Sequence, residues 1–203
     1  MQLLTANNLL LAKGKNLDIV CQAEVIESFS RITKDMTKLI YAFYCAELVS
    51  CFGLENDHNS KEIYDILFEV LKNISMFSST EEILWTVIGF KLKLMQHLGY
   101  APELDNCSVC NNIDGTGASN KLFCPDSGGI VCERCAGKIY KTVEINKAQI
   151  KVFRDSQIYD FPEDENILDK TLLYPCFNIL KEYVSLRSDK KFKTPEMIET
   201  LCC

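Results

Sequence analysis

The sequence predicts a mainly α-helical protein, in which a helical bundle carries an inserted module of four cysteines and is preceded by two strands. Three observations predict this class. Apolar residues recur at three- and four-residue spacing in three segments between residues 35 and 99. Two C-x-x-C pairs lie further along the chain, and short apolar runs flank a glycine near its start. At 203 residues, the chain can bury a sizeable core in one or two domains.

The first segment has the pattern of a strand, a turn and a second strand. Residues 3–12 are largely apolar, Gly14 supplies the turn, and Leu17, Ile19 and Cys21 alternate with their neighbours. Two strands alone are marginally stable in water. They therefore either pack on the helices that follow or pair with further strands, and the second arrangement would mean that the sequence starts inside a domain.

Three helices are predicted next. The first covers residues 35–52 and stops at Gly53, and the second is capped by Ser60. Ser79, followed by a glutamate three residues later, fits a capping box that opens a third helix ending at Gly99. Helices joined by short loops usually pack as antiparallel neighbours, so we expect a bundle.

The region after the cysteines is predicted to return to helix. Asn146 caps a short helix, and residues 155–165 form an acidic loop. A last helical region spans residues 167–187, with Pro175 marking a break or a fresh start. The tail that follows is a short basic patch, for which a solvated helix end is the simpler interpretation and a phosphate-contacting surface the alternative. Its cations are Arg187, Lys190, Lys191 and Lys193.

The cysteine spacing indicates a metal site. Cys107 and Cys110 form one C-x-x-C pair, and Cys132 and Cys135 form the second, with 21 residues between the two pairs. Each pair fits a tight turn whose two sulfurs point at a common centre, and Zn²⁺ accepts four thiolates tetrahedrally. Four cysteines leave no open coordination position, so the predicted zinc is structural. Cys124 lacks a partner at this spacing and is interpreted as a bystander.

Three other interpretations of the cysteines compete with zinc. Disulfides are disfavoured because thiols stay reduced in a cytosol and the chain shows no signal peptide. A redox C-x-x-C needs only one pair, usually in a βαβ unit that the pattern lacks. An iron–sulfur cluster also takes four cysteines, and spacing alone does not separate it from zinc. Four further cysteines fall in apolar stretches and are expected to be small buried side chains: Cys21, Cys45, Cys51 and Cys176.

Composition narrows the classes of function. A hydrophobic fraction of 47%, with no apolar run long enough to span a membrane, predicts a soluble cytoplasmic protein. The net charge of −6 argues against a surface that attracts nucleic acid everywhere, so any such contact must be local. His58 lies in a polar loop and His97 in the last turn of a predicted helix, and neither has the neighbours that a catalytic role requires. We therefore expect no enzyme and no catalytic residue.

Several stretches resemble the RecO family of bacterial recombination mediators. They are QHLGYAPELDNCSVC at residues 96–110, FCPDSGGIVCERC at 123–135, LIYAFYCAEL at 39–48 and YVSLRS at 183–188. The leucine–glycine–tyrosine–proline approach to the first C-x-x-C is far more specific than the cysteines alone. The resemblance covers essentially the whole chain.

The resemblance implies a protein that binds and anneals single-stranded DNA and works with RecR to load RecA at gaps, with single-stranded DNA-binding protein as a further candidate partner. The family has an N-terminal OB-fold barrel and a helical domain that carries the zinc module. Residues 1–25 would then be the last strands of the barrel, its earlier strands being absent, and residues 26–203 the helical domain, with the zinc module at 105–138. Some members lack the cysteines, so zinc would support the fold rather than the activity.

A second hypothesis is a zinc-stabilised helical module that holds a protein partner and binds no DNA. A salt-dependent affinity for single-stranded DNA distinguishes the two hypotheses.

Overall fold

A computed structural model describes residues 3–53, 60–112, 120–139, 141–158, 162, 167–188 and 190–202. Over these residues the secondary structure is mainly helical, with one two-stranded and one three-stranded sheet. The strands are β1 (Ala6–Ala12), β2 (Ile19–Glu27), β3 (Asn120–Cys124), β4 (Gly129–Val131) and β5 (Val143–Asn146). The helices are α1 (Ser30–Thr33), α2 (Met36–Phe52), α3 (Ser60–Met76), α4 (Thr80–His97), α5 (Glu133–Ala136), α6 (Lys147–Asp155), α7 (Lys170–Ser185) and α8 (Thr194–Cys202), with a 3₁₀ turn at Ser156–Ile158.

Helix α4 is the centre of the core. Every side chain from residue 83 to residue 92 is buried, and α4 contacts α2, α3, α6 and α7. A helix that is apolar on all sides needs such neighbours around it. Ser79 accepts a hydrogen bond from the backbone N–H of Glu82 (3.2 Å), and the Glu82 carboxylate accepts one from Ser79 (2.9 Å). The predicted helical bundle and the capping box are therefore confirmed.

The other predicted helix ends agree closely with the structure. Asp35 caps α2 by accepting the backbone N–H of Lys38 at 3.1 Å, and Gly53 ends that helix in an extended conformation. Ser60 is the first residue of α3 rather than its cap. Asn146 caps α6 in a reciprocal capping box with Gln149.

Two predictions for the C-terminal part need correction. Pro175 lies inside α7 and neither breaks nor restarts it. A proline there removes one backbone donor, but the helix continues because buried side chains on both sides of Pro175 hold it against the core. The predicted region at 167–187 is also not the last helical one, because the tail beyond Arg187 leads into α8, whose Ile198 is buried.

The predicted N-terminal strands are present as an antiparallel pair of β1 and β2. Every residue of β2 is exposed, and apolar side chains project from both strands, with Leu10 60% and Ile19 62% exposed. The assignment of this pair to a barrel remnant, and the domain boundary after residue 25, stay predictions. Strand β2 continues to Glu27, two residues beyond that boundary.

The three-stranded sheet is not predicted by the sequence pattern. Its order is β4-β3-β5 and both pairings are antiparallel. Strands of three to five residues are too short to show a periodicity. Phe123 of β3 is fully buried against Phe153 of α6 and Tyr183 of α7, so the sheet is joined to the helical core.

The expectation of four buried cysteines outside the metal site holds for only two of them. Cys45 and Cys176 are buried, whereas Cys51 is half-buried. Cys21 is exposed, contrary to the prediction, as is every other residue of β2. His58 and most of the predicted acidic loop at 155–165 lie outside the described residues.

A lysine is buried at the centre of the bundle. The Nζ atom of Lys91 donates a hydrogen bond to the carbonyl of Phe177 (3.0 Å) and lies 3.4 Å from the centre of the Phe177 ring and 5.0 Å from that of Tyr44. Burial lowers the pKa of Lys91 well below 10.5, and the charge of Lys181 acts in the same direction. The rings favour the ammonium form, but the loss of hydration outweighs them.

This lowered pKa predicts a pH-dependent stability. Between the folded pKa and the unfolded value of about 10.4, the unfolded chain binds one more proton at Lys91, so this lysine makes the free energy of unfolding rise with pH by up to about 1.4 kcal/mol per unit. We expect Lys91→Met to remove this contribution in denaturant titrations at a series of pH values below about 10.4. Lys72→Met, at an exposed position of α3, is the control. Equal pH slopes for the parent and Lys91→Met would contradict the prediction.

Candidate metal centre and nucleic-acid interface

The two C-x-x-C pairs come together at one point. Cys107 and Cys110 bracket a turn, Cys132 caps the short helix α5, and Cys135 lies within α5. The hairpin of β3 and β4 brings the second pair back to the first, and the four sulfur atoms all lie within 4.8 Å of one another. Cys107 is buried, Cys110 is exposed, and the other two are half-buried.

The sulfur geometry fits a tetrahedral ion. Four sulfurs at about 2.3 Å from a central Zn²⁺ stand about 3.8 Å from one another. The Sγ atoms of Cys110 and Cys132 are 3.8 Å apart, which is this separation and far too long for a disulfide. The group can therefore hold a metal ion.

Backbone donors prepare the site for thiolates. Burial alone would raise the pKa of Cys107, but N–H groups of Cys132, Cys110 and Val109 lower it to about 6. The Cys132 N–H lies 3.4 Å from the Cys107 sulfur. The pKa of Cys132 is lowered by the N–H of Cys135, whereas the pKa of Cys135 is raised to about 12 by the neighbouring cysteines, Cys132 first. A bound metal cation offsets this rise in the pKa of Cys135, because it binds deprotonated thiolates.

The competing interpretations fare differently. All nine cysteines for which the structure gives a state are free. The named strands pair only antiparallel in the described residues, which contain no βαβ unit for a redox motif. Zinc and an iron–sulfur cluster both suit four thiolates. Cys124 is buried, and its sulfur accepts the N–H of Ser127 (3.3 Å) instead of joining the four.

Helix α7 fixes the cysteine module to the helical core. The Tyr183 hydroxyl donates to the carbonyl of Tyr100 (2.8 Å), just before the first C-x-x-C pair. Arg187 donates to the carbonyls of Pro125 (3.0 Å) and Tyr183 (2.8 Å), and its guanidinium lies 3.4 Å from the centre of the Tyr183 ring. These hydrogen bonds, together with the stacking of Arg187 on Tyr183, join the cysteine module to the end of α7.

The structure separates the four cations that the sequence singled out for nucleic-acid binding. Arg187 is half-buried in the contact just described. Lys190 is exposed, and its Nζ donates to the carbonyl of Ser50 at 3.4 Å. Lys191 and Lys193 are exposed and line a cavity of about 670 Å³. Their role in binding stays a prediction.

Sequence reasoning missed two other lysines in the same cavity. Lys141 precedes β5 and forms an ion pair with Glu182 at 2.6 Å, and Lys181 lies on α7. Lys141 precedes Lys181 by 40 residues and Lys191 by 50 residues, so only the fold brings it to them. The available signals were a lysine in a short loop after the cysteines, for Lys141, and a lysine on a predicted helix, for Lys181. Both are too common to identify a site.

Two further observations bear on function. His97 lies in the last turn of α4, as predicted, and the described residues around the cysteines include no histidine in the metal group. None of the described helices combines the length and the hydropathy that crossing a membrane requires.

Comparison with known proteins gives a consistent family. The sequence model described as recombination protein O, C-terminal, matches residues 33–196. The chain is 29% identical to the DNA repair protein RecO of Desulforamulus reducens over 95% of its own length and 73% of that protein. It is 28% identical to the DNA repair protein RecO of Thermoanaerobacter sp. over 96% of its length and 76% of that protein.

A third relative is the DNA repair protein RecO of Pelotomaculum thermopropionicum, at 32% identity over 76% of this chain and 57% of that protein. The matched region of the family model runs from the end of α1 into α8 and includes the whole cysteine module. The chain belongs to the RecO family, whose C-terminal domain it contains.

Proposed function

We propose that this chain acts in DNA repair as a recombination mediator in the bacterial cytoplasm. It binds and anneals single-stranded DNA and works with RecR to load RecA at gaps, with single-stranded DNA-binding protein as a further partner. The observation that carries the proposal is the family match over residues 33–196. The relatives that resemble the chain over most of its length are named DNA repair proteins.

The proposed mechanism needs no catalytic residue. Lysines that bind phosphates release condensed counterions, which holds two strands near one another, and base pairing then provides the favourable step. Because the net charge is −6, this attraction depends on a local cluster rather than on the whole surface. Lys191 and Lys193, which line one cavity with Lys141 and Lys181, form such a cluster.

The metal in this proposal is Zn²⁺ with a structural role. Cys107, Cys110, Cys132 and Cys135 are the proposed ligands, and four thiolates fill its tetrahedral shell. Zinc would hold the hairpin of β3 and β4 against the turn at residues 108–110, which also places the module beside α7. In this proposal the ion does not contact DNA.

One observation supports a second candidate, a protein-interaction module that binds no DNA. The pair of β1 and β2 exposes apolar side chains from both strands, including Leu10 and Ile19. Exposed apolar patches of this kind commonly mark contacts with another protein. This surface is compatible with a RecR contact as well, so it does not by itself exclude DNA binding.

A salt series with single-stranded DNA tests the proposal. We expect a fluorescent oligonucleotide to bind at low salt, and the logarithm of its affinity to fall linearly with the logarithm of salt, by about 0.7 per phosphate contact. Annealing of complementary strands should be faster with the protein than without it. Duplex DNA of equal length is the control and should bind more weakly. Absence of binding at about 50 mM salt would favour the interaction module.

A further inference from the structure

Two cavities beside α7 form one continuous groove. The larger, of about 670 Å³, lies between α7, residues 191–193 and the start of α8. The smaller, of about 360 Å³, continues toward the end of the cysteine module. Both are lined by Lys141, Glu182 and Leu186, so they meet along a shared wall. We name the two together the lysine groove.

The lysine groove is positive on an acidic protein. Five lysines line it, from three segments of the chain: Lys138, Lys141, Lys181, Lys191 and Lys193. Three carboxylates also line it: Asp126, Glu182 and Glu196. The groove thus has more positive than negative side chains, whereas the whole chain carries −6. Such a local reversal of sign attracts a polyanion to this place.

Apolar side chains line the same groove. Leu186 is 52% exposed within it, at the end of α7. Phe192 is half-buried, and its ring is held against that of Phe52 with 6.4 Å between the ring centres. A duplex presents phosphates and hides the faces of its bases, whereas a single strand offers both to one surface. The combination of lysines with apolar faces therefore favours a single strand.

We propose that the lysine groove binds single-stranded DNA, with phosphates on Lys141, Lys181 and Lys191 and bases on Leu186 and Phe192. This inference rests on the proposed function, for which it names the binding site. It assigns Lys141 and Lys181 to DNA binding, and it places Lys191 and Lys193 in the same interface.

Arg187 has a different role in this proposal. It lines another cavity, together with Tyr100 and Cys107, and its Nη1 atom already donates to the carbonyls of Pro125 and Tyr183. It is therefore a positioning residue that holds the cysteine module beside the groove. The basic tail is divided between a structural arginine and lysines that contact the ligand.

The double variant Lys181→Gln/Lys191→Gln tests the charge of the lysine groove. Losing two phosphate contacts should lower the salt slope by about 1.4 and weaken binding roughly tenfold at 0.1 M salt. The matched control is Lys61→Gln/Lys72→Gln, at two exposed positions of α3 outside the groove. Both variants change the net charge equally, so only the position of the lysines differs.

An oligonucleotide of equal length that lacks bases tests the apolar part of the lysine groove. We expect it to bind the parent protein several-fold more weakly than the normal strand, with an unchanged salt slope, because phosphate contacts remain and stacking is lost. Leu186→Ala should reduce the difference in affinity between the oligonucleotides with and without bases. Circular dichroism and thermal melting of each variant establish that it is folded.

The outcomes separate the inference from the function on which it rests. If the parent binds single-stranded DNA but the groove variant keeps the parental affinity and slope, the lysine groove is not the site, although the proposed function stands. Equal loss in the groove variant and the control would also overturn it. If strands with and without bases bind alike, the base contacts are excluded. If the parent does not bind at all, the proposed function itself fails.

Discussion

Replacing Cys107 with serine is expected to abolish stoichiometric metal binding and to unfold the cysteine module. Cys107 is the buried member of the four, and its sulfur accepts the backbone N–H of Cys132, so it joins the two C-x-x-C pairs. A structural zinc contributes its binding free energy, on the order of 10 kcal/mol in small zinc peptides, directly to folding. Part of this stabilisation reaches the bundle, since Phe123 of β3 packs on Phe153 and Tyr183.

The expected effect is large enough to measure by two routes. Metal content should fall from one ion per chain to none. If about 4 kcal/mol is lost, the melting temperature should fall by about 8–16 °C for a chain of this length. Elemental analysis also identifies the metal, because an iron–sulfur cluster would bring iron and visible absorption, which zinc lacks.

Cys124→Ala is the matched control for Cys107→Ser. Cys124 is also buried and lies in the same module, but its sulfur does not belong to the group of four. We expect it to keep one metal ion per chain while losing some stability, because a buried side chain is shortened. Full metal content in Cys107→Ser, or its loss in Cys124→Ala, would show that the ligand assignment is wrong.

The features that sequence analysis predicted correctly are those set by neighbouring residues. The capping box at Ser79 and the cap at Asn146 depend on residues three apart, so the sequence shows them directly. The same holds for the C-x-x-C turns, whose spacing indicates that two pairs belong to one centre. Helix α4 was predicted from the same periodicity, although its complete burial follows only from the helices around it.

The features that were missed depend on distant contacts. Pro175 predicts a break in the helix, yet the packing of α7 against the core outweighs the backbone hydrogen bond that proline removes. Apolar residues flank Cys21 in the sequence, which predicts burial, but every residue of β2 is exposed in the structure. Lys141 and Lys181 meet Lys191 only because β5, α7 and the approach to α8 converge. No pattern among neighbouring residues in the sequence indicates that these elements converge.

Gly89→Ala is a substitution outside the metal centre for which we expect a large loss of stability. Gly89 lies in the buried middle of α4, where the backbone of the 3₁₀ turn at Ser156–Ile158 comes against the helix. A Cβ atom at this position would fall within the contact radius of the Ser156 carbonyl oxygen. The obstruction is backbone rather than a flexible side chain, so the turn must move away from the helix.

The sign of the effect is decided by two opposing terms. Alanine in a helix interior is favoured over glycine by about 1 kcal/mol. Forcing a buried backbone segment outward costs about 3 kcal/mol, at the upper end of the range for overpacked cores, because backbone cannot give way as a flexible side chain can. We therefore expect a net loss of about 2 kcal/mol, measured as the free energy of unfolding in denaturant, with a melting temperature lower by about 4–8 °C.

Gly137→Ala is the control that separates crowding from a general effect of replacing glycine. Gly137 follows α5 in a right-handed helical conformation, and the nearest atom to an added Cβ is 3.8 Å away. Alanine fits there without strain and restricts the unfolded chain, so stability should rise by about 0.4–1 kcal/mol. If Gly89→Ala instead matched Gly137→Ala, the 3₁₀ turn would not be packed against α4. The two glycines thus test whether close backbone contact, rather than helix propensity, sets the stability of the central helix.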